Sequence, residues 1–371
     1  MRALHLPGAA DGHVPAFNYP NKKGRAEALQ FSKDIPKPIV PAGCSTNAYI
    51  LRVQTTALQK GELTWPEPLE RHRFQPWAGA IPGHDVVGTI DTVHHATTAP
   101  SPKFKAGDRV WGLIDFDRDG AAADYVLAYE NEIALAPQSI QHLHRTSSAT
   151  LATVPLSGLT AYQALYTNGH FAEPSTTTTA QRHSRPPAQE PKRLLITGAS
   201  GTLLDAHPLP KGHPSRDVVL DYTTSDFHLS TALRNAGITE PFDLVIEAAG
   251  GEIAADIILQ DGIVKVPGGR VMSISGPLEG GLATLDEEMA AQVKAKLAVE
   301  DREGLHFEFF IVKPDMGQLE RLGEWVKEGM LMGEVESVWE LEHGRGAMMR
   351  VEQGKGRKGR GKVVLRVDRE Q

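Results

Sequence analysis

The most constraining stretch of this chain is Arg193-Leu-Leu-Ile-Thr-Gly-Ala-Ser-Gly201, a compact apolar strand that runs straight into a glycine-spaced turn. A strand that ends in small residues lets backbone N–H groups approach a ligand closely, because no Cβ stands in the way. The chain beyond Gly201 keeps a matching rhythm. Residues 218–222 read as a short strand, 226–236 as a helix, 242–248 as a buried strand closed by Gly250 and Gly251, and 269–275 as a further strand. Apolar strands alternating with helical segments predict a parallel sheet covered on both faces.

The chain before that region has another character. Residues 48–53, 83–93, 104–113 and 125–135 each read as a short strand bounded by turn signals, which predicts an all-β, barrel-like unit. Residues 146–166 carry Ala, Leu and Tyr at helical spacing, broken by Pro155 and Gly158. Residues 173–191, rich in Thr, Pro, Ser and Gln, read as a surface insertion. Near the end, Leu319, Leu322, Trp325 and Val326 share one face of a helix over 318–328, and residues 362–367 form a last strand. The expected organisation is one domain from 1–150 with 312–371, and a second from 151–311 that holds the insertion. A ligand cleft is expected between the two.

Composition excludes whole classes of function. The net charge of -7 argues against a nucleic-acid or anionic-membrane partner, and the basic glycine-rich stretch over 353–362 reads as a solvated loop. No apolar run approaches the roughly 18–20 residues that a membrane helix needs, and residues 1–10 lack a secretory pattern. A cytoplasmic location is the expectation. One cysteine, Cys44, permits neither an internal disulfide nor a multi-cysteine zinc site.

Eight segments in linear order resemble the medium-chain dehydrogenase/reductase superfamily, on its zinc-independent quinone oxidoreductase and enoyl reductase side. They are Pro82-Gly-His-Asp-Val-Val-Gly88, Phe104-Lys-Ala-Gly-Asp-Arg-Val-Trp111, Ala123-Asp-Tyr-Val126, Pro155-Leu-Ser-Gly-Leu-Thr-Ala-Tyr162, Leu195-Ile-Thr-Gly-Ala-Ser-Gly201, Asp221-Tyr-Thr-Thr224, Phe242-Asp-Leu-Val-Ile-Glu-Ala-Ala-Gly250 and Gly361-Lys-Val-Val-Leu365. The resemblance implies an α/β protein with a GroES-like β-barrel domain joined to a Rossmann doubly wound parallel sheet, paired as a homodimer. It also implies an enzyme that moves hydride from NADPH (the NADP couple) to a small-molecule substrate, an electron-poor C=C or a quinone.

The candidate cofactor-binding residues fall into three groups. Gly198, Ala199, Ser200 and Gly201 form the phosphate turn. Gly250, Gly251, Ser275 and Gly276 sit at strand C-terminal ends, where open α/β sheets bind ligands. By resemblance, Thr160 stands near the nicotinamide, Tyr222 near the adenosine phosphate, and Lys362 reaches the cofactor. No catalytic residue is placed by spacing. His84 stands where zinc-dependent alcohol dehydrogenases have a ligand, yet Ala57-Leu-Gln-Lys60 and residues 151–160 offer no cysteine, so no metal site is expected.

After Gly201 the sequence departs from the family. It runs Thr202-Leu-Leu-Asp-Ala-His-Pro-Leu-Pro-Lys-Gly-His-Pro-Ser-Arg216, and Pro208, Pro210 and Pro214 forbid a regular helix there. Leu204 stands in place of the third glycine. About one helix and one strand, roughly 25 residues, are missing from the family pattern. That loss leaves a second expectation open: a decayed or non-catalytic relative that no longer holds the cofactor.

Overall fold

The computed structural model describes residues 1–7, 22–64, 80–138, 147–173, 192–198, 218, 220, 228–275, 285–353 and 361–368. The first elements are β1 (Ala3–His5), α1 (Lys22–Ala28), β2 (Gln30–Ser32), β3 (Ala48–Leu58), β4 (Asp85–His94), β5 (Arg109–Leu113), β6 (Tyr125–Tyr129) and β7 (Ile133–Leu135). Next come α2 (Ser148–Ala152), α3 (Pro155–Tyr162), β8 (Leu194–Ile196), α4 (Leu229–Asn235), β9 (Leu244–Glu247), α5 (Gly251–Leu259) and β10 (Arg270–Ser273). The chain closes with α6 (Glu287–Glu303), β11 (His306–Phe309), α7 (Met316–Lys327), β12 (Val335–Glu340), α8 (Gly344–Glu352) and β13 (Lys362–Arg366).

Met1–Leu159 and Lys313–Gln371 belong to one compact unit, Thr160–Ser200 and His207–Val312 to another. The sequence put the first break at 150, whereas α2 stays with the first unit. Its first residue explains why: the Ser148 carbonyl accepts from Thr55 Oγ1 at 2.8 Å, and Ser148 Oγ accepts from Arg109 Nη2 at 2.9 Å. These side chains stand on β3 and β5, so α2 is pinned to that sheet.

The first unit is built on a seven-stranded sheet with the order β12-β13-β3-β4-β5-β7, and β6 also pairs with β3. β3 is the organiser, antiparallel to β4, β6 and β13. Its eleven residues carry Tyr49, Leu51 and Val53 into a core shared with Leu4, Val86, Val110, Ile133, Met348 and Leu365. Burying side chains of this size stabilises by roughly 1.5–3 kcal/mol each. The one strand expected over 125–135 is two, split by a turn at Glu130–Glu132. Carboxylates make that turn. Glu132 is buried, pairs with Arg118, and accepts from the backbone N–H groups of Tyr129 at 2.7 Å and Asp115 at 3.2 Å. The helix read from its apolar face is present as α7. Asp315 caps it by accepting from the Gln318 N–H at 2.9 Å, and Leu319, Leu322, Trp325 and Val326 are buried.

The second unit holds a four-stranded parallel sheet in the order β11-β10-β9-β8. Leu244 pairs with Leu194 on one side and Arg270 on the other. β9 is buried along its whole length, and Ala255 and Ile258 of α5 pack with Val293 of α6 beside the sheet. β8 differs. Its three residues are half-buried, and among the described strands it pairs only with β9. Of the strand expected over 218–222, Val218 and Leu220 lie outside any strand, and Val219, Asp221 and Tyr222 lie outside the described residues. The departing stretch 202–216 also lies outside them, as do 174–191 of the insertion and 354–360 of the basic loop.

A buried acid gives the first unit a pH dependence. Glu62, just after β3, is buried, and its Oε1 has no hydrogen-bond partner among the described residues. Burial pushes its carboxyl up to about 8 from 4.5. The negative charges of Asp85 and Glu352 add to that, while the backbone N–H groups of Gln59 and Gly83 oppose it. The folded state therefore holds a proton that the unfolded chain releases above about 4.5. The stability that this proton confers is lost as pH rises through the folded value. Glu62→Gln should match the parent near pH 5 and exceed it increasingly toward about pH 9. Urea unfolding midpoints across that range test this, and a constant difference would refute it.

Candidate functional site

The C-terminal ends of β8, β9 and β10 meet around one carboxylate. The ladder between β8 and β9 continues one residue past β8, where the Thr197 N–H donates to the Ile246 carbonyl at 3.0 Å. Thr197 Oγ1 then accepts from the Ala248 N–H at 3.1 Å and donates to Glu247 Oε1 at 3.4 Å. Glu247 is the last residue of β9 and is buried. Its Oε1 also accepts from the N–H groups of Ala249 at 2.7 Å and Gly250 at 2.6 Å. Its Oε2 accepts from Ser275 Oγ at 2.5 Å and Ser273 Oγ at 3.3 Å. One carboxylate thus gathers donors from three strand ends.

Two glycines shape this rim. Gly198 has φ +65°, and a Cβ there would lie 2.9 Å from the Ala248 carbonyl oxygen, so the turn after β8 closes tightly on β9. Gly250 has φ +69°, and its Cβ would face Ser275 at 3.6 Å with room to spare. Only glycine takes both positions without strain, and the left-handed turn at Gly250 leads into α5 at Gly251.

The structure therefore brings Gly198, Gly250, Gly251 and Ser275 to the ends of adjacent strands. Thr160 is half-buried within α3, on a different element from the Glu247 network. Lys362 sits in the first unit, at the start of β13. It is buried, and its Nζ lies 2.7 Å from Asp85 Oδ2. Ala199, Ser200, Gly201, Tyr222 and Gly276 lie outside the described residues. Sequence reasoning missed Glu247 as a functional residue. The signal was an acid closing an otherwise apolar strand, since a buried carboxylate at such a place needs several donors.

The residues around the zinc position of alcohol dehydrogenases are engaged with protein. His84 is buried, its Nδ1 lies 3.1 Å from the Ile114 carbonyl oxygen, and its ring packs edge-on against Phe116 at 5.1 Å. Gln59, in the Ala57-Leu-Gln-Lys60 stretch, donates through Nε2 to Asp85 Oδ2 at 3.1 Å. Cys44 Sγ donates to the Thr46 carbonyl at 3.2 Å. Among the described residues no three of His, Cys, Asp or Glu gather as a metal donor set.

A parallel sheet with glycine turns at its strand ends is an arrangement at which open α/β sheets bind ligands, and here one chain joins it to an antiparallel sheet unit. The family profile "Zinc-binding dehydrogenase" matches residues 216–365. The "Probable zinc-binding oxidoreductase, mitochondrial" of Arthroderma benhamiae is 31% identical over 338 residues, covering 86% of this chain and 88% of that protein. The "NAD(P)H oxidoreductase RTN4IP1, mitochondrial" of Danio rerio is 24% identical, covering 100% of this chain and 95% of its own. A quinone oxidoreductase structure from Coxiella burnetii has the same fold, with a TM-score of 0.64 at 18% identity and 99% of each chain covered. The chain belongs to the medium-chain dehydrogenase/reductase superfamily of oxidoreductases.

Two outcomes are expected. Gly198→Ala should cost about 2–3 kcal/mol and Gly250→Ala about 1 kcal/mol, because both strain φ but only the first meets backbone. Chemical denaturation gives the ranking, and a reversed order would contradict the packing described. Lys362→Met should cost about 3–5 kcal/mol, since it leaves the buried Asp85 carboxylate without its cation. Thermal unfolding measures this, and a neutral effect would return Lys362 to the surface.

Proposed function

We propose that this chain is an NADPH-dependent reductase that delivers hydride to an electron-poor C=C, as in an enone or enoyl group, or to a quinone. One observation carries the reading: the strand-end rim on which the Glu247 carboxylate fixes Thr197, Gly250 and Ser275 beside the tight turn at Gly198. The relatives, an NAD(P)H oxidoreductase of Danio rerio among them, support a nicotinamide cofactor. The rim fits such a cofactor because Gly198 and Gly250 keep Cβ atoms away from its backbone. When bound, a reduced nicotinamide supplies the hydride. The chain's own part is to bind and orient the reactants and to hold bulk solvent away from the hydride while a single water supplies the proton. The β-carbon of the substrate gains the hydride, an electron pair moves onto its carbonyl oxygen, and the α-carbon takes a proton from water. No metal is required in this scheme, consistent with the engaged His84 and Gln59. A homodimer is part of the same proposal.

No described helix is long and apolar enough to cross a membrane. The two relatives named above carry "mitochondrial" in their names, which does not fit the plain cytoplasmic expectation. We extend a mitochondrial location to this chain on that basis.

A second reading, a relative that has lost catalysis, draws on β8. Its half-buried residues and single described partner strand leave the first strand of the nucleotide domain less supported than β9 or β10. Nucleotide binding separates the two. At about 100 times Kd a ligand stabilises by about 2.7 kcal/mol, which for a protein of this size raises Tm by about 3–4 °C. NADPH should produce that shift, and a quinone should then consume the dihydronicotinamide absorbance. Absence of any shift with either NADPH or NADH overturns the reductase reading in favour of the second.

A further inference from the structure

In the first unit, Oε1 of Glu62 and Oε2 of Glu352 are buried without a hydrogen-bond partner among the described residues. The other oxygens of these two acids stitch one joint. Glu62 Oε2 accepts from the Gln59 N–H at 3.1 Å and shapes the turn after β3, where the Thr64 N–H and Oγ1 both donate to the Gly61 carbonyl. Glu352, the last residue of α8, takes the Gly61 N–H on its Oε1 at 2.7 Å, across 291 positions of chain. A carboxylate is poorly placed there, because a helix C-terminus carries partial negative charge. The cations close to the joint are engaged: Lys362 of β13 with Asp85 Oδ2, and Arg25 of α1 with the Leu63 carbonyl at 3.3 Å. Lys60, on the turn itself, is exposed, and His84, just before β4, is turned to the Ile114 carbonyl. Glu62 therefore feels two other carboxylates, Asp85 and Glu352, and pairs with no cation among the described residues.

We propose that Glu62 and Glu352 form a proton-operated latch: one proton on the pair holds the 59–64 turn against the end of α8, and its loss releases that joint while the sheet stays folded. The proton removes one of two like charges. A protonated carboxyl also donates as well as accepts, so the proton serves the two oxygens that lack partners. Its loss leaves two buried carboxylates side by side with the charge of Asp85 close to them. The bond that yields is the one between Gly61 and Glu352. Asp85 is anchored by Lys362, Gln59 and the Leu156 N–H, whereas Glu352 stands at a helix end, where local opening costs least. Burial and the like charges raise the Glu62 carboxyl to about 8, so the latch is closed below that value and opens as pH rises through it.

Hydrogen exchange of peptides covering 59–64 and 344–352, corrected for the intrinsic pH dependence of exchange, reads the joint directly. In the parent their protection should fall about tenfold per pH unit above the Glu62 value, as release of one proton requires, while β5 and β9 keep theirs. Glu62→Gln removes the ionisation, and protection of both peptides should then be flat across the same range. Glu352→Gln keeps an acceptor for the Gly61 N–H and removes the like charge, so its fall should begin at a higher pH. Protection that is flat in the parent, or that falls in Glu62→Gln as it does in the parent, overturns the latch. So does a fall that β3 and β5 share, because that is unfolding of the whole unit and not release of a joint. Should Glu62→Gln not fold, Glu352→Gln decides alone, and an onset unchanged from the parent overturns the proposal.

Discussion

The first unit depends on the buried carboxylate of Asp85. Its Oδ2 takes the Lys362 ammonium at 2.7 Å and Gln59 Nε2 at 3.1 Å, and its Oδ1 takes the Leu156 N–H at 2.6 Å. Its own carbonyl accepts from Thr56 Oγ1 at 2.6 Å. One residue at the start of β4 therefore holds the end of β3, the first turn of α3 and the start of β13. Lys362 lies 277 positions away in sequence, so this pair ties the last strand to the start of β4. Burying two charges is costly unless each is paired and its remaining sites are filled. Asp85 meets that condition with three donors, which is why the region tolerates a charge there. Glu62 nearby lacks a cation, and it is accommodated by holding its proton.

The second unit repeats the device at the other end of the problem. Glu247 stands at the tip of β9 and satisfies the donors of a turn that has left the sheet ladder. Both acids end up where a strand gives way to irregular backbone, and both replace lost ladder bonds with charge-assisted ones. The difference is in what they order. Asp85 closes a core, whereas Glu247 orders a rim of strand ends and glycine turns. That distinction turns one into a stabilising element and the other into part of the candidate site.

Much of this was legible in the sequence because it rests on local rules. The strand-forming run of β3, the apolar runs of β9 and β10, and the apolar face of α7 reflect local composition and periodicity. Gly198 and Gly250 could be picked out because a strand end needing left-handed backbone demands glycine. The split between β6 and β7 could not, because it depends on Glu132 finding Arg118 and two backbone donors. Nor could the place of Lys362. A lysine after a glycine-rich loop looks like a surface cation until its partner is known. Glu247 was hidden within a strand motif, since the donors that give it a role come from Thr197 and Ser275, distant in the chain.

The sequence by itself determined the family, the two kinds of sheet, their order along the chain and the glycine positions at the strand ends. These depend on side-chain period, turn stereochemistry and motif order, which are properties of short segments. Tertiary structure alone decided where the charges go: Lys362 onto Asp85, Ser275 and Gly250 onto Glu247, and α2 onto the first unit instead of the second. A buried charge is tolerable only where the fold assembles enough partners around it, and those partners come from segments that a linear reading cannot bring together.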